Sequence, residues 1–348
     1  MGPDFLARTA QQWQKAQHAG LFATRVVQIA AISVRLHFAA PTVFEAFWPA
    51  ISHLEIADLP PDFSPNLDIF LWDAATGVPL PAPDADLRIG PQGHIAGLPE
   101  PLRAAFNLDS GVLQVYAPHE NCAFVALRDA QTLPPYERAA PLRVLWGWIG
   151  ETHDFVAAHG AAVAWNDCAI LLAGRGGSGK STTSLACLLA GFDFLGDDYV
   201  LVRGGAAPRV WSLYRTAKVG ARSLELHPHL KNAIAIEPRP QLDDKWVLFA
   251  DKLESGGQLV REKPLGAIVL PRVEGQSTQL APCSASRALA ALAPSSIFQL
   301  AGAGPILMEK MAALTRCVAA HELRLAPDNR APFLLKQWLE RAKFPETA

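Results

Sequence analysis

The chain has 348 residues, 50% of them hydrophobic and 18% charged, enough to bury a sizeable core and too apolar for a disordered chain. Acidic residues outnumber basic ones 33 to 31, a formal net charge of −2, which excludes a basic footprint for bulk nucleic-acid binding. Five cysteines are scattered without a C-x-x-C pair, against a zinc ribbon or disulfide scaffold and in keeping with a reducing cytoplasm.

In chain order, the N-terminus carries Asp4 and a polar stretch, Gln11 to Gln17, where a secretory signal needs an apolar core. Val26–Phe38 alternates and then runs apolar, as a half-buried strand does. Pro41–Ile51 has the pattern of a short helix. Nine of the 28 prolines fall between Pro60 and Pro101, which predicts a small irregular β-rich region with short strands at Leu67–Trp72 and Leu87–Ile89. Val112–Val115 and Cys122–Leu127 read as a hairpin, with Val112–Val115 a candidate exposed strand for an extended peptide. Pro134–Pro135 marks a boundary, dividing the chain into domains over 1–135 and 136–345.

Beyond it, Leu142, Leu145, Trp146 and Ile149 recur at helical spacing. Strands follow at Ala161–Trp165 and Ala169–Ala173 around an Asn166–Asp167 turn. A glycine loop and a helix over Ser181–Ala190 come next, with Gly191 as its stop signal. Tyr199–Val202, Val247–Phe249 and Ala267–Leu270 read as strands, Ser286–Leu292 and Leu307–His321 as helices. The longest uncharged run, Ala288–Met308, is broken by Pro294, Gly302, Gly304 and Pro305, so two ordinary helices are expected rather than a membrane span.

Gly174-Arg175-Gly176-Gly177-Ser178-Gly179-Lys180-Ser181 fits G-x-x-x-x-G-K-[ST]. Gly174, Gly176, Gly177 and Gly179 let backbone N–H groups converge on phosphate oxygens without Cβ clashes. Ser178 and Thr182 flank the cradle, Lys180 reaches the β/γ-phosphates, and the Ser181 hydroxyl suits Mg²⁺. A strand leads in and an amphipathic helix leads out, as the mechanism requires. The bland alternative is a glycine-rich turn without ligand.

Asp197-Asp198 follows Lys180 by 17 residues, and His159-Gly160 precedes it by 21. One carboxylate near the phosphates can hold Mg²⁺ and a second can accept the proton of an attacking hydroxyl. By itself Gly-Asp-Asp is also ordinary turn chemistry. His227-Pro228-His229 looks like a metal pair but has no third ligand in view, and reads as a loop. Phosphoryl transfer also needs further positive charge, with Arg215, Lys218, Lys245 and Arg272 as candidates.

Together His159-Gly160, Gly174–Ser181 and Gly196-Asp197-Asp198 resemble the HPr kinase/phosphorylase family in motif and spacing. Leu213-Tyr214-Arg215-Thr216-Ala217-Lys218 is similar to the Y-x-x-A-K-L stretch of HPr-kinase-like proteins found with lasso-peptide and other ribosomal-peptide pathways. Departures from the HPr kinases themselves are Gly176 in place of a Ser, Thr182 in place of a Glu and Tyr199 in place of an Arg. The resemblance implies an α/β fold with a phosphoenolpyruvate-carboxykinase-like P-loop core of mixed sheet and helices, preceded by a smaller β-rich N-terminal domain. It implies ATP and Mg²⁺ as cofactors, Ser181 and Asp197 as metal ligands, and Asp198 as base with His159 in support. Lys180 and Lys218 are the cations it implies. The expected activity is a cytoplasmic kinase phosphorylating a serine hydroxyl of a peptide or small protein, without nucleic-acid or membrane partners, with a homo-oligomer expected from the family. The other readings are a kinase of a small hydroxyl compound or carboxykinase-like enzyme, and a non-catalytic nucleotide sensor.

Overall fold

The computed structural model describes residues 5–82, 86–241, 243–274, 276–297, 299–301 and 304–342. The chain divides into two compact units, Met1–Trp148 with Leu300–Gly302, and Ile149–Gln299 with Ala303–Ala348.

The first unit contains α1 (Phe5–Gly20), β1 (Ala23–Ile29), β2 (Ile32–Phe38), α2 (Pro41–Ile51), β3 (Leu67–Asp73), a two-strand ribbon of β4 (Arg88–Ile89) and β5 (Ile95–Ala96), then β6 (Arg103–Asn107), β7 (Val112–Ala117), β8 (Cys122–Leu127) and α3 (Pro135–Ala139). Its main sheet has the order β1-β2-β3-β8-β7-β6. Pro41 opens α2, where its missing N–H costs nothing. Val43, Ala46, Phe47, Ala50 and Ile51 then bury one helix face, at the i, i+3, i+4, i+7, i+8 spacing. On α1, Phe5, Thr9, Trp13 and Ala16 do the same, and the Trp13 ring meets Phe70 and Trp72 at centroid distances of 5.0 and 6.4 Å.

Two sequence expectations change here. The Val26–Phe38 run is not one strand but the antiparallel pair β1–β2, turning at Ala30–Ala31 with Ala30 at φ 49°. Alanine in the left-handed region carries no local turn signal, so the break is invisible in the pattern. Val112–Val115 is not an exposed strand. It lies in β7, hydrogen-bonded to β6 on one side and β8 on the other, with every residue of β7 buried. Its edges are spent, and no peptide can pair with it.

α4 (Arg143–Thr152) leads to the second unit: β9 (Val156–Trp165), β10 (Cys168–Ala173), α5 (Lys180–Leu189), β11 (Asp193–Gly196), β12 (Tyr199–Arg203), β13 (Arg209–Trp211), β14 (Thr216–Val219), α6 (Ala221–Leu226), β15 (Ile234–Ile236), β16 (Trp246–Phe249), β17 (Glu262–Val273), β18 (Gln279–Pro282), α7 (Ala285–Ile297), α8 (Pro305–Cys317), β19 (Ala319–Leu325) and α9 (Ala331–Arg341). The central sheet runs β18-β19-β17-β10-β9-β11, with β10, β17 and β19 mutually parallel. The first halves of β9 and β17 are joined through β12 and β13, which pair with β9 and β17 respectively and with each other. β10 is buried on both faces, which explains its unbroken apolar sequence. A small sheet, β14-β16-β15, stands beside it.

The helix expected over Leu307–His321 ends at Cys317, and His321 lies in β19, which pairs with β17 over seven residues. Alanine and leucine favour a helix locally, but pairing with β17 decides the outcome. The uncharged run Ala288–Met308 is shared between α7 and α8, and no described helix is long and apolar enough to cross a membrane.

Candidate active site

β10 ends at Ala173 in the middle of the sheet, and the glycine loop leaves from its C-terminal end into α5. Gly177 and Gly179 take φ of 76° and 105°. At Gly179 the backbone requires glycine, and a Cβ there would also stand 2.7 Å from Leu325 Cδ1, a side-chain end that would have to shift. Lys180 opens the helix, and its Nζ turns back to donate to the carbonyls of Gly174 at 2.7 Å and Arg175 at 3.2 Å. Burial lowers its pKa; Asp197 and Asp198 pull the other way and Lys245 adds to the lowering. The Ser178 hydroxyl is buried with no hydrogen-bond partner. Thr182 Oγ1 meets Ser223 Oγ at 2.9 Å, tying the start of α5 to α6.

The acidic pair joins β11 to β12 in a three-residue turn, closed by the Tyr199 N–H donating to the Asp197 carbonyl at 2.8 Å with Asp198 at φ 68°. This is the γ-turn geometry, a strained conformation that aims adjacent side chains apart. The pair is clamped from two other segments. From β9, His159 Nε2 stands 3.2 Å from Asp198 Oδ1, and the Gly160 N–H donates to the Asp198 carbonyl at 3.1 Å. A Cβ on Gly160 would lie 2.7 Å from the Leu172 carbonyl oxygen, so His-Gly is a unit: the histidine holds the carboxylate and the glycine lets β10 pass. The His159 ring stacks on Tyr199, with centroids 5.2 Å apart. From β14, Lys218 Nζ lies 2.8 Å from Asp198 Oδ2 and 3.9 Å from Asp243 Oδ2, while its backbone N–H donates to Asp197 Oδ2 at 3.0 Å.

The two carboxylates have opposite electrostatics. At Asp198 burial pushes the pKa up, but Lys218 and His159 outweigh it and hold the group well below the ordinary value. At Asp197 burial pushes the pKa up, Asp198 pushes it further, and the Lys218 N–H and Ser181 hydroxyl only partly offset them. Asp197 Oδ1 is buried and accepts no hydrogen bond. A buried, partnerless carboxylate oxygen beside a serine hydroxyl fits a hard divalent cation, which would supply the missing positive charge.

One cavity of about 440 Å³ gathers His159, the loop from Gly176 to Thr182, Asp197, Asp198 and Lys218. Gly174, the first loop residue after β10, is not among the residues lining it. Of the four cations suggested from sequence, Lys218 and Lys245 line this cavity. Arg215 does not: it pairs with Asp251 at 2.7 Å over the Phe249 ring. Nor does Arg272, which bonds Glu322 and Glu274, each at 3.0 Å. Sequence reading missed Arg222 and Ser223 on α6, and Thr278, Asn329 and Arg330, all of which line the cavity. No local motif marks them, because they arrive from segments far along the chain. His227-Pro228-His229 is not a plain loop. Pro228 starts a 3₁₀ turn after α6, and His227 reaches the cavity wall with its pKa lowered by burial and by His229. Among the described residues no group of three or more His, Cys, Asp and Glu forms a metal site.

No family model matches the chain, and no curated protein matches it. Among solved structures, the Hpr(Ser) kinase/phosphatase from Coxiella burnetii is similar at 11% identity with a TM-score of 0.28, over 53% of this chain and 88% of that one. A likeness of that size carries no functional argument, so the chemistry rests on the geometry of this chain's own residues.

Proposed function

We propose that the second unit is an ATP- and Mg²⁺-dependent phosphotransferase that moves the γ-phosphoryl group to a serine hydroxyl of a peptide or small protein, as an HPr-kinase-like enzyme of cytoplasmic ribosomal-peptide modification. The carrying observation is that Asp198, clamped by His159 and Lys218, faces the same cavity as the glycine loop.

The loop's N–H groups and the α5 N-terminus receive the phosphates, and Lys180 is placed to exchange its loop carbonyls for β/γ-phosphate oxygens. Ser181 and Asp197 would hold Mg²⁺, whose charge neutralises the phosphate oxygens. The acceptor hydroxyl donates a hydrogen bond to Asp198. As its oxygen bonds to phosphorus, the bond to the leaving ADP oxygen breaks and the proton passes to the Asp198 carboxylate. A carboxylate held so firmly ionised is a weak base, which suits a loose transition state in which the hydroxyl needs orientation more than early deprotonation. Lys218 fixes the carboxylate's direction and brings positive charge beside the moving phosphoryl group.

The test is incubation of the full chain with Mg-ATP and serine-containing peptides, read by mass spectrometry, with Asp198→Asn in parallel. Phosphoserine formed by the wild type and not by the variant supports the proposal. Manganese-dependent oxaloacetate turnover, or ATP binding with no transfer to any hydroxyl, refutes it.

A further inference from the structure

Asp243-Asp244-Lys245 puts two acids and a lysine directly ahead of β16, and the two acids fare differently. Asp244 is exposed, whereas the Asp243 side chain is only 12% exposed and yet is not among the residues lining the cavity. Backbone and side chain both fix Asp243. Its N–H donates to the Arg239 carbonyl at 2.8 Å and its carbonyl accepts from the Arg239 N–H at 3.0 Å, which closes the chain on itself just before β16. Its Oδ1 accepts from the Lys245 N–H at 3.1 Å. Its Oδ2 faces Lys218 Nζ at 3.9 Å, while Asp198 Oδ2 meets the same ammonium at 2.8 Å. Pairing of β14 with β16, Lys218 opposite Val247, brings the two segments together.

Lys218 Nζ therefore stands between two carboxylates, and it is itself covered, at 13% exposed. A covered ammonium needs a counter-ion. In the proposed transfer the Asp198 carboxylate receives the acceptor's proton and loses its charge. From that moment Asp198 no longer neutralises Lys218, just when a positive charge is needed beside the moving phosphoryl group. Asp243 lies outside the cavity lining and keeps its charge through the step. At 3.9 Å it is close enough to hold the ammonium and too far to displace Asp198, at 2.8 Å, beforehand.

We propose that Asp243 is a positioning residue that acts through Lys218, as the counter-ion that keeps the ammonium in place while Asp198 carries the proton. The inference rests on Asp198's being the base of the proposed phosphotransferase.

Asp243→Asn removes the charge and keeps an oxygen for the Lys245 N–H; Asp243→Ala removes both. Each full-length variant is compared with wild type in transfer from Mg-ATP to the serine-containing peptide that wild type phosphorylates best. Thermal unfolding of Asp243→Asn, with and without Lys218→Met, needs no activity and runs beside it. Both Asp243 variants lower kcat about tenfold and keep KM for Mg-ATP within about twofold of wild type. Asp243→Asn lowers the Tm of wild type but not that of Lys218→Met, where no ammonium remains for the Asp243 charge. Wild-type kcat in Asp243→Asn, a raised KM for Mg-ATP with kcat kept, or an equal fall in Tm in both backgrounds overturns the positioning role. Absence of transfer to any serine peptide by wild type overturns the phosphotransferase reading instead, and the unfolding comparison still decides whether Asp243 acts through Lys218.

Discussion

Lys218→Met should destabilise the second unit by an amount that depends on pH. Lys218 Nζ and Asp198 Oδ2 are 2.8 Å apart, and both side chains are largely covered, 13% and 21% exposed. At an effective dielectric of about 20 the attraction is about 6 kcal/mol, before the desolvation of both charges is subtracted. Removing one partner of such a pair costs roughly 3–5 kcal/mol, because the other charge stays behind. Asp198 can escape by taking a proton, which at pH 7 costs an ordinary carboxyl about 4 kcal/mol, and His159 still faces it; about 3 kcal/mol is the expected loss. For a unit of this size that is a fall in Tm of about 6–12 °C. In the wild type the depressed Asp198 pKa contributes stability above the ordinary carboxyl range, lost only as pH falls through the low folded value. The variant's Asp198 pKa rises, so the deficit is largest near neutrality and shrinks as pH falls through the ordinary carboxyl range. Thermal unfolding of both proteins between pH 7.5 and pH 4, the methionine variant keeping the stem's bulk, reads this directly. Equal Tm at pH 7, or a deficit that stays flat across the range, would refute the clamp.

Lys180→Ala should abolish phosphoryl transfer and weaken ATP binding, as judged by titration and by peptide phosphorylation, since in the proposed complex the charge lost would face the β/γ-phosphates. Asp198→Asn should leave Mg-ATP affinity within about tenfold and lower transfer by about 10² or more. Asp197→Asn should do the reverse, weakening Mg²⁺ dependence first. Because burial raises the Asp197 pKa, the ionised group destabilises the metal-free fold as pH rises through that raised value. The Asn variant without metal should therefore unfold at a higher temperature than wild type near neutrality, with the gain vanishing in acid. Gly160→Ala places a Cβ 2.7 Å from the Leu172 carbonyl oxygen and should cost about 1–3 kcal/mol in denaturant unfolding, together with loss of activity as His159 shifts.

What the sequence determined by itself is local. The glycine loop is readable because its backbone φ values are set within eight consecutive residues, and the strand before it and helix after it have their own periodicity. His159-Gly160 is visible only as a motif; that its glycine admits the Leu172 carbonyl is a fact of strand pairing. The hairpin turn at Ala30–Ala31 and the place of β7 between β8 and β6 were not legible, since an alanine turn has no chemical mark and strand order is not encoded in alternation. Tertiary structure alone decided which cations reach the site. Lys218 and Arg215 are three residues apart, yet pairing of β14 with β16 turns Lys218 to Asp198, while Arg215 goes to Asp251. It also brought Val273 and Leu325 to Gly179, because parallel strands from distant segments end together at one edge of the sheet, a juxtaposition that no sequence window contains.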